Sequence, residues 1–83
     1  MTARTTARPD LHYDAEWDAG DMGCGELLLD LRFRLREMPT RVLKLTARDP
    51  GAILDLPAWC RMTGDTLLHH DPETFGYWIQ ARP

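Results

Sequence analysis

No apolar run in the chain approaches the length of a membrane span, so no segment is expected to cross a bilayer. The first nine residues are polar, with three Thr and two Arg, and have no apolar centre; no secretory signal is expected. Cysteine is scarce. Cys24 and Cys60 allow at most one bridge, which excludes a disulfide-built scaffold and points to a reducing, cytoplasmic compartment with both thiols free. Excess charge of either sign is small: 10 Lys and Arg against 13 Asp and Glu leave a net −3, which excludes a general attraction to nucleic acid or anionic membrane. Cys24, Cys60, His69 and His70 lack the paired spacing of zinc motifs, and no metal or cofactor is expected.

What is present suits one small domain. Eighty-three residues lie near the lower limit for folding without staples, and an apolar fraction of 43% is ordinary for a globular chain. Residues 1–10 are expected to be a flexible tail and 11–83 a single domain. Leu11, Tyr13, Ala15 and Trp17 alternate with polar residues through Asp18, a period of two that predicts a half-buried strand. From Cys24 the period lengthens: Leu28, Leu31, Leu35 and Met38, widened by Leu27, predict an amphipathic helix ended by Pro39, with Asp30 and Arg34 paired on its wet side.

Residues 41–48 alternate again and predict a second strand, with Leu43, Leu45 and Ala47 on one face. Asp49-Pro50 then reads as cap and first position of a second helix ending at Gly64; Pro57 should bend that helix or delay its start until after Asp55. Residues 66–70 and 74–81 form two further strands around an Asp71-Pro72-Glu73 turn, paired as an antiparallel hairpin, with Phe75 on the same face as Tyr77. The order β-α-β-α-β-β implies a two-layer α/β sandwich: a four-stranded mixed sheet with both helices on one face and the other face largely open.

Cys24 is the candidate nucleophile. It stands where the first helix begins, and free backbone N–H groups and the helix dipole there favour a thiolate by roughly 0.3–1 kcal/mol. Asp18, Asp21 and Glu26 act in the opposite sense. Cys60, beside Trp59 in the second helix, reads as a packing residue; a redox pair with Cys24 would need Cα atoms within about 7 Å. His69 and His70 are neighbours on a strand and must point to opposite faces. Asp18, Asp49 and Asp55 read as loop and cap residues, and Arg32, Arg34 and Arg36 as a basic solvated side of the first helix. Trp17, Trp59 and Trp78 read as packing residues.

Over residues 11–82 the chain resembles the TusA/SirA family of small sulfur carriers. The resemblance is carried, in order, by Asp18, Met22 and Cys24, by Asp49-Pro50, by Asp55-Leu56-Pro57-Ala58-Trp59-Cys60, and by Gly64 before Thr66-Leu67-Leu68. The chain departs from the family where Cys24-Gly25-Glu26-Leu27 replaces Cys-Pro-x-Pro and Gly20-Asp21 replaces Arg-Gly, and so resembles a divergent branch. The resemblance implies a covalent carrier rather than a full enzyme. Cys24 would accept a sulfane sulfur as a persulfide from a cysteine desulfurase or rhodanese. It would then pass it to an acceptor protein in tRNA thiolation, cofactor synthesis or sulfur metabolism, the chain acting as a monomer. Two alternatives stand beside it: an interaction or regulatory domain of the same fold, and a thiol sensor using Cys24 and Cys60.

Overall fold

The computed structural model describes residues 11–83; the tail expected over 1–10 lies outside the described residues. The elements follow the expected order: β1 (Ala15–Asp18), α1 (Cys24–Arg36), β2 (Val42–Thr46), α2 (Ala52–Thr63), β3 (Thr66–Asp71) and β4 (Gly76–Gln80). The sheet order is β1-β2-β4-β3, with β1 parallel to β2 and β4 antiparallel to both of its neighbours. β2 and β3 therefore run the same way with β4 inserted between them, and the sandwich is a mixed sheet with α1 and α2 on one face.

β1 is shorter than the alternation suggests. The backbone N–H of Asp14 donates to the Val42 carbonyl at 2.8 Å, and the Val42 N–H donates to the Asp14 carboxylate, also at 2.8 Å. A side chain thus takes the place of the next strand carbonyl and ends the regular ladder. That N–H, with His12 alongside, holds the Asp14 carboxyl below its usual range. Tyr13 and Ala15 are exposed, and only Trp17 of this stretch packs against the core.

α1 buries Leu27, Leu31 and Leu35, with Cys24, Leu28 and Met38 partly covered beside them. The helix ends at Arg36, two residues before the expected Met38. The N–H groups of Glu37 and Met38 bond three residues back, to Arg34 and Leu35, tightening the last turn ahead of Pro39. Arg34 does not pair with Asp30. Its guanidinium lies 4.0 Å over the Trp17 ring, which parts it from Arg32 and Arg36.

Leu43 and Leu45 of β2, with Ala47 just beyond it, face inward as the alternation requires and share the core with Ala52, Leu56 and Cys60 of α2. α2 starts at Ala52 and includes Pro57, so the alternative of a start after Asp55 does not hold. The carbonyl that loses its donor is that of Ile53, whose side chain is exposed. The start is also displaced from the expected cap. Asp49 accepts the Gly51 N–H on its carboxylate and the Ala52 N–H on its carbonyl, both at 3.0 Å, so residues 49–52 make a turn that feeds the helix. At the other end Gly64 adopts φ 87°, the left-handed stop that glycine allows.

β3 and β4 form the expected hairpin, with a bulge between Leu67 and His69. β4 begins at Gly76 rather than Thr74. Phe75 sits in the turn at φ 62°, half exposed, and is absent from the core that Tyr77, Ile79 and Ala81 enter. The outer sheet face is less open than expected, since Trp78 and Val42 are buried there. Lys44 Nζ lies 5.3 Å from the ring centres of both Trp78 and Tyr13, and the His69 ring stands 5.2 Å from Trp78. No helix among the described residues is long and apolar enough to cross a membrane.

Because β1 and β2 are parallel neighbours, the loops after them open at one edge of the sheet. That edge is where α1 and α2 both begin.

Candidate functional site

Cys24 is the first residue of α1, and Asp49 stands in the loop before α2. The shared sheet edge brings them into contact: Cys24 Sγ donates to Asp49 Oδ2 at 3.0 Å. The same oxygen accepts the Gly51 N–H, so the carboxylate is fixed by backbone and touches the thiol from one side. Asp55, one turn into α2, approaches the same thiol. Gly51 makes this convergence possible. A Cβ there would stand 3.0 Å from Asp49 Oδ2, 3.4 Å from Asp55 Oδ2 and 3.9 Å from Cys24 Sγ.

This environment reverses the expectation of a favoured thiolate. Burial, then the Asp49 and Asp55 carboxylates, push the Cys24 thiol from its ordinary 9.0 up to about 12. The capping residue Gly23 has no side chain to organise the helix start, and the N-terminal dipole is a smaller effect than two adjacent carboxylates. The resting thiol is protonated at neutral pH. Tyr77, buried and paired with Leu45 across the sheet, is pushed up by burial and then by Cys24, so the phenol borders the same site.

The other predicted residues divide. Asp18 serves its loop: it accepts the Gly20 N–H at 2.8 Å and pairs with Arg48 at 3.1 Å, both in the open. Cys60 is buried in the core, and both cysteines are free. His69 and His70 do face opposite sides. His70 stacks on Tyr77 with ring centres 4.0 Å apart and bonds the Gly76 carbonyl through Nδ1 at 2.9 Å. No group of three or more His, Cys, Asp or Glu among the described residues is placed to hold a metal.

In sequence, Asp49 and Asp55 read as caps, with Asp18 and Asp49 at strand ends near Cys24, and nothing singles out Tyr77. One signal was available. Cys24 and Asp49 each follow the end of a strand and precede a helix, and such loops meet where parallel strands are neighbours. An apolar hollow of about 220 Å³ lies on the far side of Asp49, walled by Ile53, His70, Phe75 and Tyr77 among others. Asp49 and Tyr77, which border the thiol, thus also line this recess.

Both thiols carry a pH signature. Cys60 is raised to about 11, by burial and then Asp65, and Cys24 to about 12. Folding holds both protons more tightly than the unfolded chain does. Their stabilising effect is complete below pH 9 and is lost as pH rises through the window from 9 to about 11 and 12. Urea unfolding should give a midpoint that is level from neutrality to the lower edge of that window and falls above it. Cys60→Ala should lessen the fall.

No protein-family model matches the chain. It is 37% identical over 76 residues to the sulfur carrier protein TusA of Pseudomonas entomophila, covering 88% of this chain and 95% of the relative. The TusA protein of Pseudomonas syringae pv. syringae is 36% identical over 76 residues, covering 88% and 90%. The TusA protein of Pseudomonas aeruginosa strain PAO1 is 33% identical over 72 residues, covering 83% and 91%.

Proposed function

Since this chain belongs to the TusA sulfur-carrier family, we propose that it is itself a sulfur carrier and that Cys24 is the atom's port of call. One observation carries the choice of thiol: Cys24 is only half-buried, at the start of α1, whereas Cys60 is 3% exposed within the core. The motif order around Cys24 supports the same assignment.

The chemistry is a sulfane-sulfur exchange between thiols. Cys24 Sγ attacks the terminal sulfur of a donor persulfide, a new S–S bond forms at Cys24, and the donor S–S bond breaks to leave a donor thiol. Thiol plus persulfide gives persulfide plus thiol, so no external oxidant or reductant enters. Passing the sulfur on repeats the step with this chain as donor. Asp49 is placed to receive the thiol proton as the attack begins. The partners this reading implies are a desulfurase or rhodanese as donor and an acceptor protein, including one of a tRNA-thiolation system. The setting is the reducing cytoplasm.

Incubation with a cysteine desulfurase and cysteine tests the assignment. The intact mass should rise by one sulfur atom, and peptide mapping should place it on Cys24 and leave Cys60 unmodified. Sulfur on Cys60, or none on either thiol, would overturn the reading.

A further inference from the structure

Asp49 does more than hold the thiol. Its Oδ2 takes the Cys24 thiol and the Gly51 N–H, while its Oδ1 accepts no hydrogen bond among the described residues. The same residue lines the recess of about 220 Å³ between the start of α2 and the turn that joins β3 to β4. Cys24 does not line it, but Tyr77, which borders the thiol, does. The apolar wall is uncovered: Ile53 is 55% and Phe75 44% exposed. The stacked rings of His70 and Tyr77, 4.0 Å apart, form another part of the wall.

Three polar groups line the recess, and each lacks part of its complement of partners. Arg48 bonds Asp18 at 3.1 Å in the open, and its guanidinium lies 5.9 Å from the Phe75 ring centre. A guanidinium carries five N–H donors, and an exposed pair of this kind holds it weakly. His70 donates through Nδ1 to the Gly76 carbonyl at 2.9 Å, which leaves a lone pair on Nε2. That Nε2 is buried and has no hydrogen-bond partner among the described residues, a cost that a bound donor would remove. Asp49 Oδ1 is the second unpaired acceptor. One cation and two acceptors around an apolar hollow complement a small zwitterion with an apolar arm.

We propose that the recess is a substrate site for a free amino-acid persulfide, which gives its sulfane sulfur to Cys24 without a donor protein. The carboxylate of the ligand meets Arg48. Its ammonium meets His70 Nε2 and Asp49 Oδ1, and its sulfur arm runs past Asp49 toward the thiol. Volume selects the class: a cavity of about 150 Å³ takes a benzene ring, so about 220 Å³ takes one amino acid and excludes a peptide or a nucleotide. The inference rests on the sulfur-carrier reading and names its substrate. In the step, Cys24 Sγ attacks the terminal sulfur, and the new S–S bond forms as that of the ligand breaks. The Cys24 proton passes by way of Asp49 to the departing sulfur. One persulfide and one thiol give one thiol and one persulfide, with no oxidant or reductant.

Two measurements on the full chain test this. S-methylcysteine has no sulfur to exchange, and it should give saturable magnetic resonance shifts centred on Ile53, His70, Phe75 and Tyr77. Cysteine persulfide should load one sulfur onto Cys24 at a rate that saturates with its concentration. Arg48→Gln should raise the half-saturating concentration about tenfold and keep the maximal rate, and N-acetylation of the ligand should raise it too. Arg61→Gln, which does not line the recess, should change neither constant. Loading by a cysteine desulfurase runs in parallel. Desulfurase loading combined with no saturable shift, with a persulfide rate linear in concentration, or with equal effects of the two Arg variants overturns the proposal and leaves the carrier reading standing. No loading from either donor overturns the carrier reading, and this substrate with it.

Discussion

Cys24→Ser should abolish sulfur uptake from a donor and leave the fold intact. Serine is close in size, and its hydroxyl can donate to Asp49 as the thiol does at 3.0 Å. The stripe of Leu27, Leu31 and Leu35 that anchors α1 is untouched, so circular dichroism and the urea midpoint should stay near those of the parent. An alkoxyl oxygen cannot hold a sulfane sulfur, so the mass gain should vanish entirely. Cys60→Ser is the matched control. It should load normally yet unfold more readily, since a hydroxyl replaces a thiol that is 3% exposed in the apolar core, at a cost of about 1–3 kcal/mol if it finds no partner. Sulfur retained by Cys24→Ser would move the carrier role away from the helix start. Full cellular function in the same variant would point instead to a domain that works by docking alone.

Much of the architecture was legible because the core obeys two simple periods. Leu43, Leu45 and Ala47 at every second residue, and Leu27, Leu31 and Leu35 at helical steps, are buried where the pattern places them. Two of the misplacements fall where side chains bond to backbone. Asp14 shortens β1 by capping Val42, and Asp49 shifts the start of α2 by tying Gly51. Phe75 leaves the β4 alternation at φ 62° in the turn. None of these alters hydropathy, so periodicity is blind to them.

The site was legible only in part, for the same reason. A thiol at a helix start is a sequence feature. The carboxylate opposite it comes from a loop 25 residues away and is placed by the parallel pairing of β1 and β2. Spacing alone marks Cys24 as a candidate thiol, with Asp18, Asp21 and Glu26 as the acids near it in sequence, whereas the acids near it in space are Asp49 and Asp55.

That correction gives the second large expectation. Asp49→Asn should make Cys24 react faster with iodoacetamide at neutral pH. In the parent, burial and then Asp49 and Asp55 hold the thiol near 12, so the rate should climb through the alkaline range without the plateau near 8.5 shown by an unperturbed thiol. Asparagine keeps an oxygen for the Gly51 N–H and removes the charge facing the thiol. A fall of one unit in the thiol pKa raises the thiolate population, and with it the alkylation rate, roughly tenfold; adding Asp55→Asn should raise it further. Sulfur transfer should move the other way. If Asp49 receives the proton during attack on a donor persulfide, the same variant loads more slowly although its thiol alkylates faster. The parent carboxylates also disfavour an anionic persulfide, a stronger acid than the thiol, and so bias the loaded carrier toward release. Loading that accelerates in step with alkylation would assign Asp49 to electrostatic restraint alone. An alkylation rate unchanged in Asp49→Asn would leave burial and Asp55 as the forces holding the proton on Cys24.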